Sequence, residues 1–428
     1  MASTEGQATP TPPSYPFRQA RGVGIDPEFA RLRHEAPLAR VTMPYGGQAW
    51  LVTRYEDVRT VLADRRFSRA ATLGRDVPRL VPLVQQVPSI LTLDPPDHTR
   101  QRRLVSRAFT PRRMEELRPK VEQFVDELID ELVGHGPPAD LVAHLTRPLP
   151  VMVICELLGV PFGERHLFYT WSEAMRSTGA DAVAKMKQAG QLPWDYLADR
   201  ISVERENPSD SVLGTLVRAR DEEDRLSEQE LVSFAVTLLL AGHETTTDEL
   251  GNFLYTLLVN PEHHDQLRAH PDMLEPAVEE LLRFVPIGTL SGFTRIATED
   301  VRLSGGLVRA GDSVVVQADS ANRDESVFEA PDELDFRREP NRHLAFGYGP
   351  HHCLGAQAGQ DRTTGCDRRP AGPAARSRVG GGGAGSAVEA RAVGTRAAGA
   401  ARHVVVRGRR RTAGQAKACT TCRTWSTN

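Results

Sequence analysis

One stretch of the sequence sets the scale of any fold this chain can adopt. Ser227-Glu-Gln-Glu230 is a capping-box signature, in which a hydroxyl and a carboxylate satisfy the free N–H groups at the start of a helix. The helical pattern that follows runs to about Asn260, where Pro261 stops it. At ~1.5 Å per residue such a helix spans on the order of 50 Å. Its middle is unusual. Leu238-Leu-Leu240 gives way to Ala241-Gly-His-Glu-Thr-Thr-Thr247, and glycine and threonine are weak helix formers. They belong where a backbone must approach something closely, or where a hydroxyl bonds within the helix groove. The plainer reading is a polar interruption tolerated in a core helix, and this segment alone does not separate the two.

Around this helix the pattern is mainly helical, for example over Arg112 to Val133 and Pro261 to Phe284. Strand signals are few: Gln48 to Thr53, Val301 to Leu303, and Ser313 to Gln317, the last two separated by a turn at Gly305-Gly306. No internal repeat is present. The expected class is mainly α with a small β portion. The 428 residues suffice for two ordinary domains or one large fold, and for burying a cofactor-sized cavity. No apolar run reaches the ~18 residues of a membrane span. The Pro-rich start, Met1 to Pro16, is polar, lacks the apolar core of a signal peptide and is expected to be disordered. These features predict a cytoplasmic protein with no membrane segment. Of five cysteines, only Cys155 and Cys353 precede residue 360, which is no disulfide framework.

The sharpest local signal is Phe346-Gly-Tyr-Gly-Pro-His-His-Cys-Leu-Gly355, three glycines around one cysteine. Glycine allows positive φ and lets a flat cofactor lie close to the backbone. A turn of N–H groups around a thiolate stabilises its charge. The bland alternative is a buried structural cysteine in a Gly-rich loop.

The pattern Phe-Gly-x-Gly-x-His-x-Cys-x-Gly resembles the haem-binding loop of the cytochrome P-450 superfamily, and other segments agree with it. Ala241-Gly-His-Glu-Thr245 resembles that family's oxygen-activation motif, and Glu280-Leu-Leu-Arg283 its Glu-x-x-Arg helix. Asp94-Pro-Pro-Asp-His-Thr-Arg-Gln-Arg-Arg103 resembles the haem-contacting segment of bacterial members. Ala321-Asn-Arg-Asp324 and Phe336 to Leu344 resemble the meander before the cysteine loop. The motifs stand in family order and spacing over residues 15–357. Glu-x-x-Arg alone means little, but five motifs in order are specific.

The resemblance implies roles. Cys353 would be the axial thiolate of haem b, a ligand whose electron donation favours O–O cleavage. Phe346, Gly347 and Gly355 would shape the loop against the haem. His98, Arg102, Arg295 and His351 would meet its propionates in charge-assisted bonds. Ala241, Gly242, Glu244 and Thr245 would form the oxygen-activation site: Gly242 opens the helix groove, while Glu244 and Thr245 supply protons. Glu280, Arg283 and Arg338 would form a buried structural triad, since buried charge requires full pairing. Within the superfamily the chain is similar to bacterial class I enzymes, and among them to actinomycete hydroxylases and epoxidases that tailor macrolides and other polyketides. Segments expected to face substrate are Leu83 to Leu91, Leu238 to Ala241 and Ile287 to Phe293, largely apolar and suited to a lipophilic ligand.

After Gln357 the likeness stops. The family continues with a helix on the cysteine side of the haem and a hairpin reaching the substrate pocket. Residues 358–428 contain no Leu, Ile, Met, Phe or Tyr, and carry 13 arginines and one lysine against three acids. Such a composition builds no core and favours disorder. A basic nucleic-acid-binding tail would fit the charge, but no aromatic residues interleave it. Cys419-Thr-Thr-Cys422 has no second pair to complete a zinc site. A shift of reading frame fits best. Codon degeneracy allows the segment from Ala358 to be reread one base out of phase as LARTELRVA, then I or T, then DALLARLPGL, an amphipathic helix. The stretch near Thr395 to Val404 can reread as RGLRALPV, a typical family ending. The expected organisation is a disordered N-terminus (1–16), a haem-thiolate domain (17–357) and an out-of-frame, disordered tail (358–428) that replaces the family's last helix and hairpin.

The function expected is insertion of one oxygen atom from O2 into a C–H or C=C bond of a lipophilic secondary metabolite. Electrons would come from NAD(P)H through a separate ferredoxin and reductase, because the chain has neither a dinucleotide fingerprint nor a ferredoxin cysteine run. Arginines between Arg107 and Arg118 could help dock an acidic ferredoxin or simply be a solvated face. The rivals are a broad-range xenobiotic hydroxylase and a degenerate, non-catalytic haem-binding product of a frameshifted gene. No nucleic-acid partner is expected.

Overall fold

A computed structural model describes residues 11–17, 19–20, 22–175, 182–221, 226–286 and 293–357. The chain begins with α1 (Glu28–Glu35), β1 (Leu38–Thr42), β2 (Gln48–Val52), α2 (Tyr55–Ala63) and β3 (Phe67–Ser68). Helices α3 (Asp97–Ser106), α4 (Pro111–His135), α5 (Pro148–Leu158), α6 (Arg165–Met175), α7 (Ala182–Glu206) and α8 (Val212–Asp221) lead to α9 (Glu228–Val259). There follow α10 (Pro261–Ala269), α11 (Leu274–Phe284), β4 (Arg295–Ala297), β5 (Val301–Leu303), β6 (Gly306–Val308), β7 (Ser313–Val316), α12 (Ala318–Ala321) and α13 (Leu354–Gln357). The class is mainly α with a small β portion, as the sequence predicts.

The long helix forms as its end signals require. Glu230 N donates to Ser227 Oγ (3.1 Å) and Ser227 N donates to Glu230 Oε2 (2.8 Å), closing the capping box. Its 32 residues correspond to about 48 Å. Helix α4 starts with Pro111 after the Thr110 cap and ends at Gly136, whose φ of 75° breaks the right-handed run. Beneath α9 lies α5, apolar and buried throughout from Leu149 to Cys155. A helix of that kind survives only inside a core. Cys155 lies there, with burial pushing its thiol up to about 12, so it is an inert packing residue.

Five strands form one sheet in the order β1-β2-β7-β4-β3, and β5 pairs with β6 separately. Strand β2 sits inside the sheet, with Ala49, Leu51 and Val52 all buried, and it pairs parallel to β7 through Trp50↔Val314 and Val52↔Val316.

Three expectations need correction. The stretch Pro261 to Phe284 is two helices, broken by a single turn at Pro271–Met273, because Pro271 cannot continue the first. The Gly305-Gly306 turn joins Val301–Leu303 to an additional short strand, β6, and not to Ser313–Val316. Part of the Pro-rich start, residues 11–16, is described and tied to β1: Tyr15 N donates to the Thr42 carbonyl (2.9 Å) and Thr42 N to that of Pro13 (2.9 Å), while residues 1–10 lie outside the described residues. Tyr15 is buried against Phe17, and that apolar anchor outweighs the polar composition around it. Residues 358–428, which include the expected out-of-frame tail, lie outside the described residues.

Candidate active site

The cysteine loop is held by its own backbone. Gly347 N donates to the Leu344 carbonyl (2.9 Å), His352 N to Gly349 (3.0 Å) and Cys353 N to Phe346 (2.9 Å). Gly347 and Gly349 have φ of 76° and 72°, a region that favours glycine. A Cβ on Gly349 would also lie 2.7 Å from the Leu62 carbonyl oxygen and 2.8 Å from Ala63 Cα, so the loop presses on the end of α2. Leu344 N donates to Asn322 Oδ1 (2.7 Å), tying the loop to the meander. The loop leaves Cys353 exposed, and a Cβ on Gly355 would sit 3.7 Å from its sulfur. Of the two described cysteines, Cys353 is the exposed one and Cys155 the buried one.

Beside the loop lies a cluster of imidazole and guanidinium groups. His98 and Arg102, on α3, lie four residues apart and so on one face. The imidazole of His98 lies 4.3 Å from that of His351, centroid to centroid. Arg102 Nη2 donates to the His352 carbonyl, at the cysteine loop. Arg295, 4% exposed, makes a long contact of 3.4 Å to the Phe293 carbonyl. A further guanidinium, Arg69, joins them from the end of β3, and no sequence motif marks it.

The electrostatics follow from burial. Desolvation, with the charge of Arg102 nearby, pushes His98 down to about 4. Desolvation, with His98, Arg295, Arg69 and Arg102 around it, lowers His351 to about 2. Desolvation and the charge of Arg295 lower Arg69 to about 9, and desolvation lowers Arg295 to about 10. The nearby carboxylate, Asp94, is already engaged: it accepts from Ser68 Oγ, from Arg69 N (2.9 Å) and from Ala70 N (3.3 Å). His98 Nε2 is buried without a partner among the described residues. Buried cations and an orphaned ring nitrogen fit an anionic group that the protein itself does not supply. The propionates of a haem are such a group, and the exposed Cys353 thiol fits its iron.

Helix α9 brings the other expected residues together. Thr245 Oγ1 donates to the Ala241 carbonyl (2.9 Å) and Thr246 Oγ1 to that of Gly242 (3.1 Å). Ala241 is exposed although Leu239 and His243 beside it are buried, so the helix is open on the face that Ala241 and Thr245 share. Glu244 is half-buried next to Thr245. Gly242 faces elsewhere: a Cβ there would meet Ile154 Cδ1 at 3.1 Å. Its side is taken up by packing on α5, a constraint that the motif does not reveal.

The structural triad is assembled. Arg283 donates to both oxygens of Glu280 (2.8 and 2.7 Å), Arg338 Nε contacts both at 3.1 Å, and Asn341 Nδ2 donates to Oε2 (3.1 Å). Arg283 also donates to the carbonyls of Asn322 (2.9 Å), Pro331 (2.8 Å) and Glu333 (3.0 Å). The meander is thus pinned to α11 by a buried, hydrogen-bonded ion cluster centred on Glu280. Of the substrate-facing segments expected, residues 287–292 lie outside the described residues. Val81, Val87 and Leu91 are exposed apolar side chains in and beside another.

Comparison with known proteins agrees with this geometry. The family model for cytochrome P450 matches residues 37–360. The mycinamicin IV hydroxylase/epoxidase of Micromonospora griseorubida is 46% identical over 345 residues, which is 81% of this chain and 87% of that protein. The nocardicin C N-oxygenase of Nocardia uniformis subsp. tsuyamanensis is 47% identical over 345 residues, 80% of this chain and 86% of that protein. Among solved structures, a MycG P450 variant in complex with mycinamicin V superposes with a TM-score of 0.78 at 41% identity, covering 91% of this chain and 93% of that one. The LnmA hydroxylase from the leinamycin pathway of Streptomyces atroolivaceus S-140 gives 0.76 at 47% identity, covering 89% and 90%. With the motifs, the fold and these likenesses together, the chain belongs to the cytochrome P450 family and is a P450 monooxygenase.

Proposed function

We propose that the enzyme inserts one atom of O2 into a C–H bond, or across a C=C bond, of a bulky lipophilic polyketide or macrolide. The other oxygen atom leaves as water, with two protons and two electrons consumed. The electrons come from NAD(P)H through a ferredoxin and its reductase. The observation that carries the reading is the buried cation cluster beside the exposed Cys353, a site built for an anionic, thiolate-ligated cofactor. Haem b would be that cofactor, with Cys353 as its iron ligand and Phe346, Gly347 and Gly355 shaping the loop that would receive it. When bound, it supplies oxygen activation with electron donation from the thiolate.

The chain's own residues do the rest. His98, Arg102, Arg295 and His351 orient the cofactor through its carboxylates. Thr245 holds its proton on the Ala241 carbonyl, from where a small rotation turns the hydroxyl outwards. Glu244 passes protons inward to that hydroxyl. Exposed apolar groups such as Val81 and Leu91 suit a lipophilic substrate. The activities of the relatives, which include macrolide hydroxylation and epoxidation, support the substrate class.

Residues 358–428 are an out-of-frame segment in this reading. The family match ends at residue 360, where the composition changes.

The test is turnover of mycinamicin IV, with NADPH, a ferredoxin and a ferredoxin reductase, followed by mass spectrometry with 18O2. Incorporation of one labelled oxygen supports the reading. A normal thiolate-haem–CO band with no product from macrolides but oxidation of diverse small aromatics would favour a xenobiotic hydroxylase. A normal band with no oxidation of anything would favour a non-catalytic haem protein.

A further inference from the structure

Arg69 is not accounted for by any motif, yet it is among the most buried charges in the molecule, at 6% exposed. Its Nε donates to the Leu91 carbonyl (2.9 Å) and its Nη1 to the Thr294 carbonyl (2.8 Å). These two residues are 203 positions apart in the chain. Leu91 ends one segment expected to face substrate, and Thr294 directly follows another. The guanidinium also lies 4.8 Å from the centre of the Phe293 ring. Its backbone N–H is held by Asp94 Oδ1 (2.9 Å), the same carboxylate that binds Ser68 and Ala70. The base of the side chain is therefore fixed, and its fork has two acceptors on two different loops. Nη2 makes no hydrogen bond to any described residue and remains available to an anion beside Arg295.

We propose that Arg69 is a positioning residue for substrate: it clamps the Leu91 and Thr294 loops at a fixed separation and so sets the width of the pocket mouth. Neither residue has regular secondary structure at the clamped carbonyl; Thr294 Oγ1 donates to the Pro78 carbonyl and Ser233 Oγ to that of Pro88, but among the described residues Arg69 is the side chain that bonds to both Leu91 and Thr294. A guanidinium presents its N–H groups in a rigid plane, which a flexible ammonium does not reproduce. Buried carbonyls that lose this donor must find another or open to water. The clamp rests on the monooxygenase reading only for what the pocket receives.

The experiment uses the full chain as Arg69→Met and Arg69→Lys variants, read first by hydrogen–deuterium exchange, which needs no haem. Arg69→Met is expected to speed exchange at least about tenfold in peptides spanning 89–93 and 293–297, the effect of losing charge-assisted bonds. Peptides of α11 serve as the internal control and should not change. Arg69→Lys should behave like the methionine variant, because charge without the fork does not bridge both carbonyls. A second readout uses haem-loaded protein and two iron ligands of different bulk. Binding of 4-phenylimidazole should weaken about tenfold more than binding of imidazole, a ratio in which any change at the haem itself cancels and only the changed pocket remains. Unchanged exchange at both loops, an equal rise in α11, or full rescue by lysine would each overturn the clamp. If no variant, nor the parent chain, takes up haem even with the alternative frame restored from codon 358, the monooxygenase reading fails, and the exchange experiment still decides the role of Arg69.

Discussion

The imidazoles of His98 and His351 lie 4.3 Å apart and tilted by 45°, one from helix α3 and one from the cysteine loop, 253 residues further along the chain. The contact joins the two halves of the cofactor site through the protein alone, and it gives the haem-free chain a pH dependence. An unfolded histidine takes its proton near pH 6.5, whereas buried His98 does so only near 4. Between these values the unfolded chain binds the extra proton, so stability falls as the pH falls through this window. One proton taken up on unfolding gives a slope of at most about 1.4 kcal/mol per pH unit. Thermal unfolding of the haem-free chain from pH 7 to 4 should show a falling midpoint, and His98→Gln should flatten part of that slope. An identical slope in the variant would show that His98 is not the group responsible.

Two glycines at positive φ, one at the end of α4 and one in the cysteine loop, predict a graded response to alanine. Gly136 has φ of 75° with open space around it. With ψ of 168° it lies in a region that glycine alone adopts readily, and Gly136→Ala should cost about 2 kcal/mol. Gly349 has a similar φ of 72°, but its Cβ would meet the Leu62 carbonyl at 2.7 Å. Because that neighbour is backbone, the loop itself must shift, and Gly349→Ala should cost about 3 kcal/mol or more. Urea unfolding of the two variants measures the difference. Equal costs would mean that the loop does not press on α2.

Removal of Glu280 leaves the guanidiniums of Arg283 and Arg338 facing each other with only carbonyls to share. Glu280 is fully buried and Arg283 is 1% exposed, so water does not screen them. Breaking a buried pair on one side costs about 3–5 kcal/mol. Glu280→Ala is expected to lose most of the chain's stability, and Glu280→Gln, which keeps acceptor capacity on one oxygen, to lose less. Expression of both in the soluble fraction, followed by denaturant titration, checks the order. A stable Glu280→Ala variant would show that the meander is held by other means.

The uneven legibility of the site has a physical basis. Cys353, Thr245 and Glu280 could be read because each sits in a short pattern whose spacing carries the meaning. Arg69 could not, because its acceptors are the carbonyls of Leu91 and Thr294, and a backbone acceptor leaves no mark on the sequence. Gly242 has a role in its motif, but its contact with Ile154 depends on how α5 crosses α9. The break at Pro271 is written in the sequence and is outweighed there by the helical periodicity on either side. The short strand β6 has only three residues, and its existence depends on β5 as a partner.

The proton-supply assignment makes a prediction that separates chemistry from folding. Thr245 Oγ1 bonds to the carbonyl of its own helix, so Thr245→Ala leaves no buried orphan and should change stability by less than about 0.5 kcal/mol. The cost should appear in coupling. NAD(P)H consumption should continue while oxygenated product falls at least about tenfold, the scale of losing a positioned proton donor. Thr246→Ala serves as the comparison, because Thr246 is buried and its hydroxyl bonds to Gly242. That variant should keep its coupling. Equal product yield from Thr245→Ala and the parent would remove Thr245 from the reaction.

The change of composition at residue 358 leads to the last prediction. A haem held by Cys353 needs cover on the cysteine side, and residues 358–428 contain no Leu, Ile, Met, Phe or Tyr to provide it. Apolar burial at ~25 cal/mol per Å2 is the main source of such cover, and an Arg-, Gly- and Ala-rich segment cannot supply it. The 428-residue chain should therefore purify with little haem and a weak thiolate-haem–CO band, decaying to the band of a haem without thiolate. A version with the alternative frame restored from codon 358 should bind haem close to one per chain, with a stable red-shifted band that Cys353→Ser abolishes. If the two versions bind haem equally, the loop and the cation cluster suffice to hold the cofactor, and the frame argument fails. If only the restored version does, the missing helix is the element that turns a presented thiol into a working ligand.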